Sequence, residues 1–432
     1  MTAQPGGGNV DKSNTVPTFI EGQPLAGKGV LIVVENLPLP FDRRVWQEAR
    51  TLRAAGAEVS VICPKGKGYE KSYELIDGVH IHRHSLPLDA SGALGFLLEY
   101  GAALFWETIL AWRIYFKRGF HVIQGCNPPD MIFLVALPFK LLGVKYIFDH
   151  HDINPELYEA KFNRRGFFWK LMVLFEKLTF KAADVTMATN RSYRQIAIER
   201  GGIDPDKVFV VRSGPDLGRL VRVPPVESWK NGRRHMVGYV GVMGDQEGID
   251  LLIEAVEHIV RKLGRDDIQF CLVGGGPSLT SLKAMVEERG LGEFVTFTGR
   301  APDHVLFEVL STMDVGVNPD RVNAMNDKST MNKIMEYMAM GKPVVQFDVT
   351  EGRFSAQDSS LYAAPNNARD LGDKIIELID DPARREAMGL SGRTRVEEEL
   401  GWGRQIAPLL AAYAKVLEMP VANTSHGGPD AG

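Results

Sequence analysis

The chain has 432 residues, room for two or three domains at roughly 150 residues each. Lys and Arg number 50 against 54 Asp and Glu, a formal net charge of −4, with 24% charged and 44% hydrophobic residues. These proportions exclude a disordered chain, a collagen-like or coiled-coil rod, and a strongly basic nucleic-acid binder.

Residues 1–27 hold Gly, Pro, Ser, Thr and Asn with no basic start and no apolar run, so they read as a flexible tail without a secretory signal. Lys28–Val34 (KGVLIVV) is a β-branched apolar run that predicts a buried strand. A loop with two prolines follows, then a helical pattern from Asp42, with Val45, Ala49 and Leu52 on one face. Asp42 is placed to cap it, and Gly56 stands where a left-handed terminator belongs. Glu58–Ile62 is the next strand, which makes a strand–helix–strand unit of a parallel sheet.

His80, His82 and His84 alternate, so a strand would put them on one face at metal-ligand spacing; without a carboxylate beside them they predict no metal site. Leu94–Phe116 is the most apolar segment, yet Glu99, Glu107 and Arg113 interrupt it, which argues against a membrane span. The strand–helix alternation continues through 121–125, 145–149, 185–189 and 208–211. Arg164–Lys181 mixes aromatic, aliphatic and basic residues. It reads either as a core-facing helix with snorkelling lysines or as a helix lying on an anionic membrane surface. Asp204-Pro-Asp206 reads as a turn. Residues 216–234 are polar and punctuated by prolines and read as a linker, after which strands recur at 236–241, 268–274, 294–299, 314–319 and 343–348. The fold class is therefore α/β: two doubly wound Rossmann-like domains, with ligands expected at the carboxyl ends of the strands. Cys63, Cys126 and Cys271 lie too far apart for a CxxC clip or a disulfide framework, which fits a reducing, cytoplasmic setting.

Asn326–Asp348 is the most informative stretch. Met331, Ile334, Met335 and Met338 mark a buried stripe, while Lys333 and Glu336 share another face. Ser329 or Thr330 is placed to cap this helix, whose first N–H groups would meet a phosphate together with Lys333; Glu336 would accept from a pair of sugar hydroxyls. A plain surface Lys–Glu pair is the alternative. Gly274–Gly276 lets a backbone approach a ligand at a strand end.

KIMEYMAMGKPVV resembles the nucleotide-sugar-binding helix and following strand of glycosyltransferase family 4. FDRRVWQEARTLRAAGAEVSVICP, DHHDINPE, LVGGGP, FTGRAP and LGW at 400–402 resemble segments of a bacterial polysaccharide branch of that family, over about residues 29–417. The resemblance implies the GT-B fold, two facing Rossmann-like domains with an interdomain cleft. The donor would bind the C-terminal domain (235–398) and the acceptor the N-terminal one (28–215). A last helix, 399–418, would cross back to the N-terminal domain, ahead of a flexible tail at 419–432.

Residue by residue, Glu336 matches the second glutamate of the family's Glu-x7-Glu pattern, and Lys333 a basic residue that some branches place against the diphosphate. The first glutamate is replaced by Lys328. Val242 and Glu247 stand where the family often has basic residues. The expected donor-binding set is therefore Gly241, Gly274, Arg300, Lys328, Ser329, Thr330, Lys333 and Glu336. His151 and Asp152 match the family's catalytic histidine segment, with His150 as the alternative and Glu156 as a group that would orient it. Arg43 and Arg44 sit in a first helical turn, where the macrodipole disfavours cations by about 0.3–1 kcal/mol each. They imply an anion in front of them, or pairing with Asp42, Glu48 or a distant carboxylate. With Glu35 and Asn36 they form the expected acceptor-binding set.

The implied activity is sugar transfer from a nucleotide-diphosphate donor to an acceptor hydroxyl, with retention and with neither metal nor separate cofactor. The acceptor would be a lipid-linked saccharide reached on the inner face of the membrane, and nucleic acid is not a partner. The rivals are a sugar-nucleotide 2-epimerase of the same fold and a non-catalytic binding protein that has lost transfer.

Overall fold

A computed structural model describes residues 15–85, 93–162 and 164–419, with backbone only at 93–100. The expectation of flexible ends at 1–14 and 420–432 lies outside the described residues. The chain divides into an N-terminal unit, residues 16–212 together with the stretch from 403, and a C-terminal unit, residues 213–402.

The apolar runs of the N-terminal unit become strands, mostly buried but not at the edge strand β3, within the order β1 (Gly29–Val34), α1 (Arg43–Ala54), β2 (Glu58–Pro64), β3 (Tyr73–Ile76), β4 (Val79–His84), α2 (Ala93–Arg118), β5 (Val122–Cys126), α3 (Phe133–Lys140), β6 (Lys145–His150), α4 (Asn154–Phe162), α5 (Phe167–Ala182), β7 (Val185–Ala188), α6 (Arg191–Glu199) and β8 (Val208–Val210). Among the described residues they form an eight-stranded sheet ordered β3-β4-β2-β1-β5-β6-β7-β8, parallel except for the β3–β4 pair. All six residues of β1 are buried, as a central parallel strand covered on both faces requires. Strand order reverses between β1 and β5, so the carboxyl ends of β1, β5 and β6 bound the crevice where such sheets bind ligands.

The C-terminal unit runs β9 (His235–Val240), α7 (Ile249–Glu257), β10 (Ile268–Val273), α8 (Leu279–Glu288), β11 (Val295–Gly299), α9 (Asp303–Thr312), β12 (Val315–Asn318), α10 (Asn332–Ala339), β13 (Val344–Phe347), α11 (Thr350–Ala356), β14 (Ser360–Ala363), α12 (Ala368–Ile379) and α13 (Pro382–Arg395). Its six described strands are parallel, in the order β11-β10-β9-β12-β13-β14, with the reversal between β9 and β12. The final helix, α14 (Trp402–Val416), belongs from Gly403 onward to the N-terminal unit: the Tyr413 hydroxyl donates to Gln124 Oε1 at 2.5 Å.

Three expectations change. Residues 15–27 do not behave as a tail: Val16 and Leu25 are buried, and Leu25 N donates to Ala55 O at 2.8 Å. The stretch 216–234 is not a free linker. Leu217 and Leu220 are buried in the C-terminal core, and Val223 N and Val226 N donate to Ser311 Oγ and Thr312 Oγ1. Its prolines stop regular structure without stopping burial. Residues 399–402 stay with the C-terminal unit, where Leu400 joins the core, so the crossover begins at Gly403.

Candidate functional site

In the N-terminal unit Asp42 caps α1, its Oδ1 accepting from Val45 N at 3.0 Å. This fixes the first turn and turns Arg44 inward. Its Nη2 donates to Asp149 Oδ1 at 2.7 Å and lies 3.1 Å from Glu48 Oε1, and its Nη1 donates to Val211 O at 2.7 Å. Asp149 and Glu48 are fully buried and Arg44 is 7% exposed. Gln124 completes the arrangement, its Nε2 donating to Glu48 Oε2 at 2.7 Å and to Asp149 Oδ2 at 3.0 Å. His151, the next turn of chain after β6, holds Nε2 2.6 Å from Asp149 Oδ2 and 3.0 Å from Arg44 Nε. The shorter contact is to an ionised carboxylate, which assigns the Nε2 proton to the Asp149 bond.

The charges follow from this geometry. Burial works against ionised Asp149, but Arg44 and His151 outweigh it and hold its carboxyl well below the usual range. Burial likewise opposes a charged His151, yet Asp149 beside it raises the imidazole above its ordinary value. Burial raises Glu48 despite Arg44. Glu48, Cys126, Asp149 and His151 place four metal-capable atoms within 4.8 Å of one another. The Arg44 guanidinium lies against three of these residues.

His151 is further fixed by its backbone, since Asn127 Oδ1 accepts from His151 N at 2.7 Å and from Asp152 N at 3.2 Å. Asn127 in turn donates to Asp130, which Asn154 also holds. Its neighbour His150 points the other way, fully buried among Phe148, Phe180 and Tyr193, where burial pushes it down to about 3. Neighbouring side chains thus turn to different sides: His151 to Asp149 and Arg44, and His150 to the core. Glu156 does not orient His151; it pairs with Arg200 at 2.6 Å.

In the C-terminal unit the loops after β9 and β10 are packed backbone to backbone. Met243 N donates to Gly275 O at 3.0 Å, and a Cβ on Gly274, at φ +141°, would overlap the Gly241 carbonyl oxygen. Arg300, just beyond β11, is exposed. Helix α10 is tied to the sheet by Tyr337, whose hydroxyl accepts from Val240 N at 2.8 Å and donates to Val317 O at 3.3 Å. Its Ile334, Met335 and Met338 are fully buried, as the stripe predicts.

Lys333 therefore projects at the β9/β12 reversal. Its Nζ donates to Asp320 Oδ1 at 2.7 Å and lies 5.0 Å from the Tyr239 ring centroid. Burial raises the Asp320 carboxyl although Lys333 opposes it, and burial with Asp320 nearby raises Glu247. Glu336 lies half-buried three residues along the same helix, and Lys328 and Thr330 are half-buried in the turn before it.

The contacts decide two site expectations. Of the two readings of Arg44, the structure shows the pairing one: its guanidinium meets the buried carboxylates of Asp149 and Glu48, the Val211 carbonyl and His151, and the carboxylates offset the unfavourable first-turn position. Arg43 and Asn36 are exposed, and Glu35 is buried at the end of β1. Neither Ser329 nor Thr330 caps α10. Met331 holds that position without a side-chain bond, and Ser329 Oγ instead donates to Met325 O at 2.9 Å. Sequence reasoning passed over Asp149, Gln124, Asn127, Asp320 and Tyr413. An available signal was a polar residue at the carboxyl end of a buried strand, which Asp149, Asn127 and Asp320 share.

The family model described as Glycosyltransferase Family 4 matches residues 42–219, and that described as Glycosyl transferases group 1 matches residues 234–381. The 2-deoxystreptamine glucosyltransferase of Streptomyces kanamyceticus is 26% identical over 290 residues, covering 64% of this chain and 72% of that protein. Sucrose-phosphate synthase from Thermosynechococcus elongatus superposes with a TM-score of 0.75 at 18% identity, over 90% of this chain and 99% of that one. Anabaena HepE, solved in complex with UDP and glucose, gives a TM-score of 0.68 at 15% identity over the same shares. With GT-B architecture in its structural neighbours and the two models spanning most of its length, the chain belongs to the family 4-type glycosyltransferases and is a sugar-transferring enzyme.

Proposed function

We propose that the protein transfers a sugar, with retention, from a nucleotide-diphosphate donor to a hydroxyl of a lipid-linked saccharide, without a dedicated metal, at a membrane surface. The observation that carries this reading is Lys333. Asp320 and Tyr239 hold its ammonium at the strand-order reversal of the C-terminal unit, beside the close-packed glycine loops. Among the described residues the ammonium makes one hydrogen bond, to Asp320, so two of its three donors remain for a diphosphate. The N–H groups opening α10 add to it.

Negative charge grows on the leaving diphosphate as the glycosidic bond breaks. A cation fixed there binds the transition state more tightly than the ground state. Glu336 is assigned to the donor's ribose hydroxyls, and Gly241, Gly274, Arg300, Lys328, Ser329 and Thr330 to its phosphate and sugar surroundings. His151 is assigned to the reacting sugar through Nδ1, its Nε2 being engaged by Asp149. Asp152, Glu35, Asn36 and Arg43 are assigned to the acceptor. The Arg44 guanidinium among the metal-capable groups supports the metal-free reading, and the UDP of HepE supports a nucleotide donor.

Calorimetric titration with UDP, GDP and ADP tests donor binding, and micromolar affinity for at least one is expected. Titrations flat for all three would refute the reading. Nucleotide sugar isomerised without acceptor would instead select the epimerase.

A further inference from the structure

Helices α2, α3 and α5 lie side by side, with α3 packed against both of the others. More than half of the exposed large hydrophobic side chains among the described residues lie on these three helices and the turn closing α3. Phe116 is 79% exposed, Leu141 89% and Phe167 74%, and Phe105, Leu137 and Leu174 on the same helices are exposed as well. An apolar concentration of this size on one layer marks an interaction surface rather than scattered exposed residues.

The charged residues of the same helices are sorted by sign. Among the described side chains of α2 and α5 the acidic ones are Glu107 and Glu176, and both are fully buried. Glu176 pairs with Arg200 at 2.5 Å, while burial pushes the Glu107 carboxyl up to about 8, which keeps it uncharged near neutrality. Five of the basic residues point outward: Arg113 and Lys117 on α2, and Lys170, Lys177 and Lys181 on α5 are exposed, while Arg118 and Lys140 are half-buried against Glu58 and Asp184. On α5 they follow Phe167 at helical spacing with Leu174 and Leu178, so cations and apolar groups share one stripe. A mixed stripe of this kind is suited to lying on a bilayer, and no described helix is long and apolar enough to cross one.

We propose that the outer face of α2, α3 and α5 docks on a bilayer of anionic lipid, its apolar side chains entering the headgroup boundary and its lysines and arginines meeting the lipid phosphates. Charge complementarity selects this occupant. A second copy of the same face would bring lysines against lysines, and a neutral bilayer would leave the outward cations without counter-charge. The biological use of the surface rests on the lipid-linked reading above; its existence does not.

The test is co-sedimentation of the full chain, without donor, with vesicles of phosphatidylcholine alone and with vesicles that also contain phosphatidylglycerol. Binding to the second only, weakened by salt, is expected. Lys→Gln at 170, 177 and 181 should weaken it roughly fivefold per lysine and roughly a hundredfold together. Leu174→Asp should weaken it as well. These positions are exposed, so circular dichroism and UDP binding should be unchanged, which separates loss of the surface from failure of the transferase reading. Equal binding to both vesicle types, no binding to either, or a dimer that dissociates on Leu174→Asp would overturn the proposal.

Discussion

Each unit places a cation at the reversal of its parallel sheet, and the two are held differently. Arg44 reaches two carboxylates and a backbone carbonyl, with His151 against its remaining nitrogen, and is buried. Lys333 is 11% exposed and makes one carboxylate contact, to Asp320. A guanidinium offers a fixed fork of donors, which suits it to locking a constellation in place. An ammonium on a flexible stem is a point charge that a ligand can recruit. The same element of charge thus serves as framework in one unit and as binding group in the other.

The comparison breaks first at Arg44. Arg44→Met leaves Asp149 and Glu48 buried without their counter-ion and should cost about 3–5 kcal/mol of stability in urea denaturation. A loss under 1 kcal/mol would show that Arg44 is not framework. Lys333→Ala should do the reverse. Asp320, already raised by burial, can take up a proton, so stability should fall by no more than about 1–3 kcal/mol. The turnover number should fall roughly a hundred- to a thousandfold, the scale of removing one donor from a developing oxyanion. Equal kcat in Lys333→Ala and the parent chain would remove the lysine from the reaction.

The sequence discloses the two cations unequally, and for a physical reason. Lys333 lies within a helix whose spacing, buried stripe and terminating glycine are local, so its face can be read from a dozen residues. Arg44 meets Asp149 across 105 positions, and nothing local records that contact. Its first-turn position signals that some negative charge must be near, and the signal is right; the charge belongs to the protein rather than to a ligand. The strands are legible because burial on both faces demands unbroken β-branched runs. The stretch 216–234 is not, because two buried leucines among prolines carry no period. Asp320 stands at the end of a legible strand, but its partner lies thirteen positions on, across a turn and the start of α10.

Asp149 offers a sharper version of the comparison, because its charge is read by a titratable neighbour. With Asp149 ionised, folded His151 holds its proton above the ordinary histidine value. This stabilises the fold fully below the unfolded pKa of about 6.5 and is lost as pH rises through the raised folded value. In Asp149→Asn, burial and Arg44 both oppose the imidazolium with only the weaker influence of Glu48 to offset them. The His151 pKa should fall below the ordinary value, reversing the direction of its shift. Ring-proton chemical shifts against pH report it directly, and His150, held near 3, provides an internal reference that should not titrate over the same range. An unchanged His151 midpoint would mean that Asp149 holds Arg44 alone and has no part in setting the histidine.

The smallest effect probes how Arg44 comes to be framework at all. Two arginines open α1 without an acidic residue in its first turn, so the helix start depends on Asp42, the residue whose carboxylate accepts from Val45 N. Asp42→Ala removes that cap and one negative charge from the positive end of the helix dipole, a loss of about 1 kcal/mol. Asp42→Asn restores the acceptor without the charge and should recover most of the stability. If both variants lose the same amount, the charge matters more than the cap, and the first turn is held by electrostatics shared with Arg43 and Arg44. If Asn recovers the loss, the backbone bond fixes the turn and the arginine is aimed by geometry. Thermal denaturation of the two variants separates these outcomes. A further loss of His151's raised pKa in Asp42→Ala alone would show that the cap, Arg44 and the histidine form one mechanical unit.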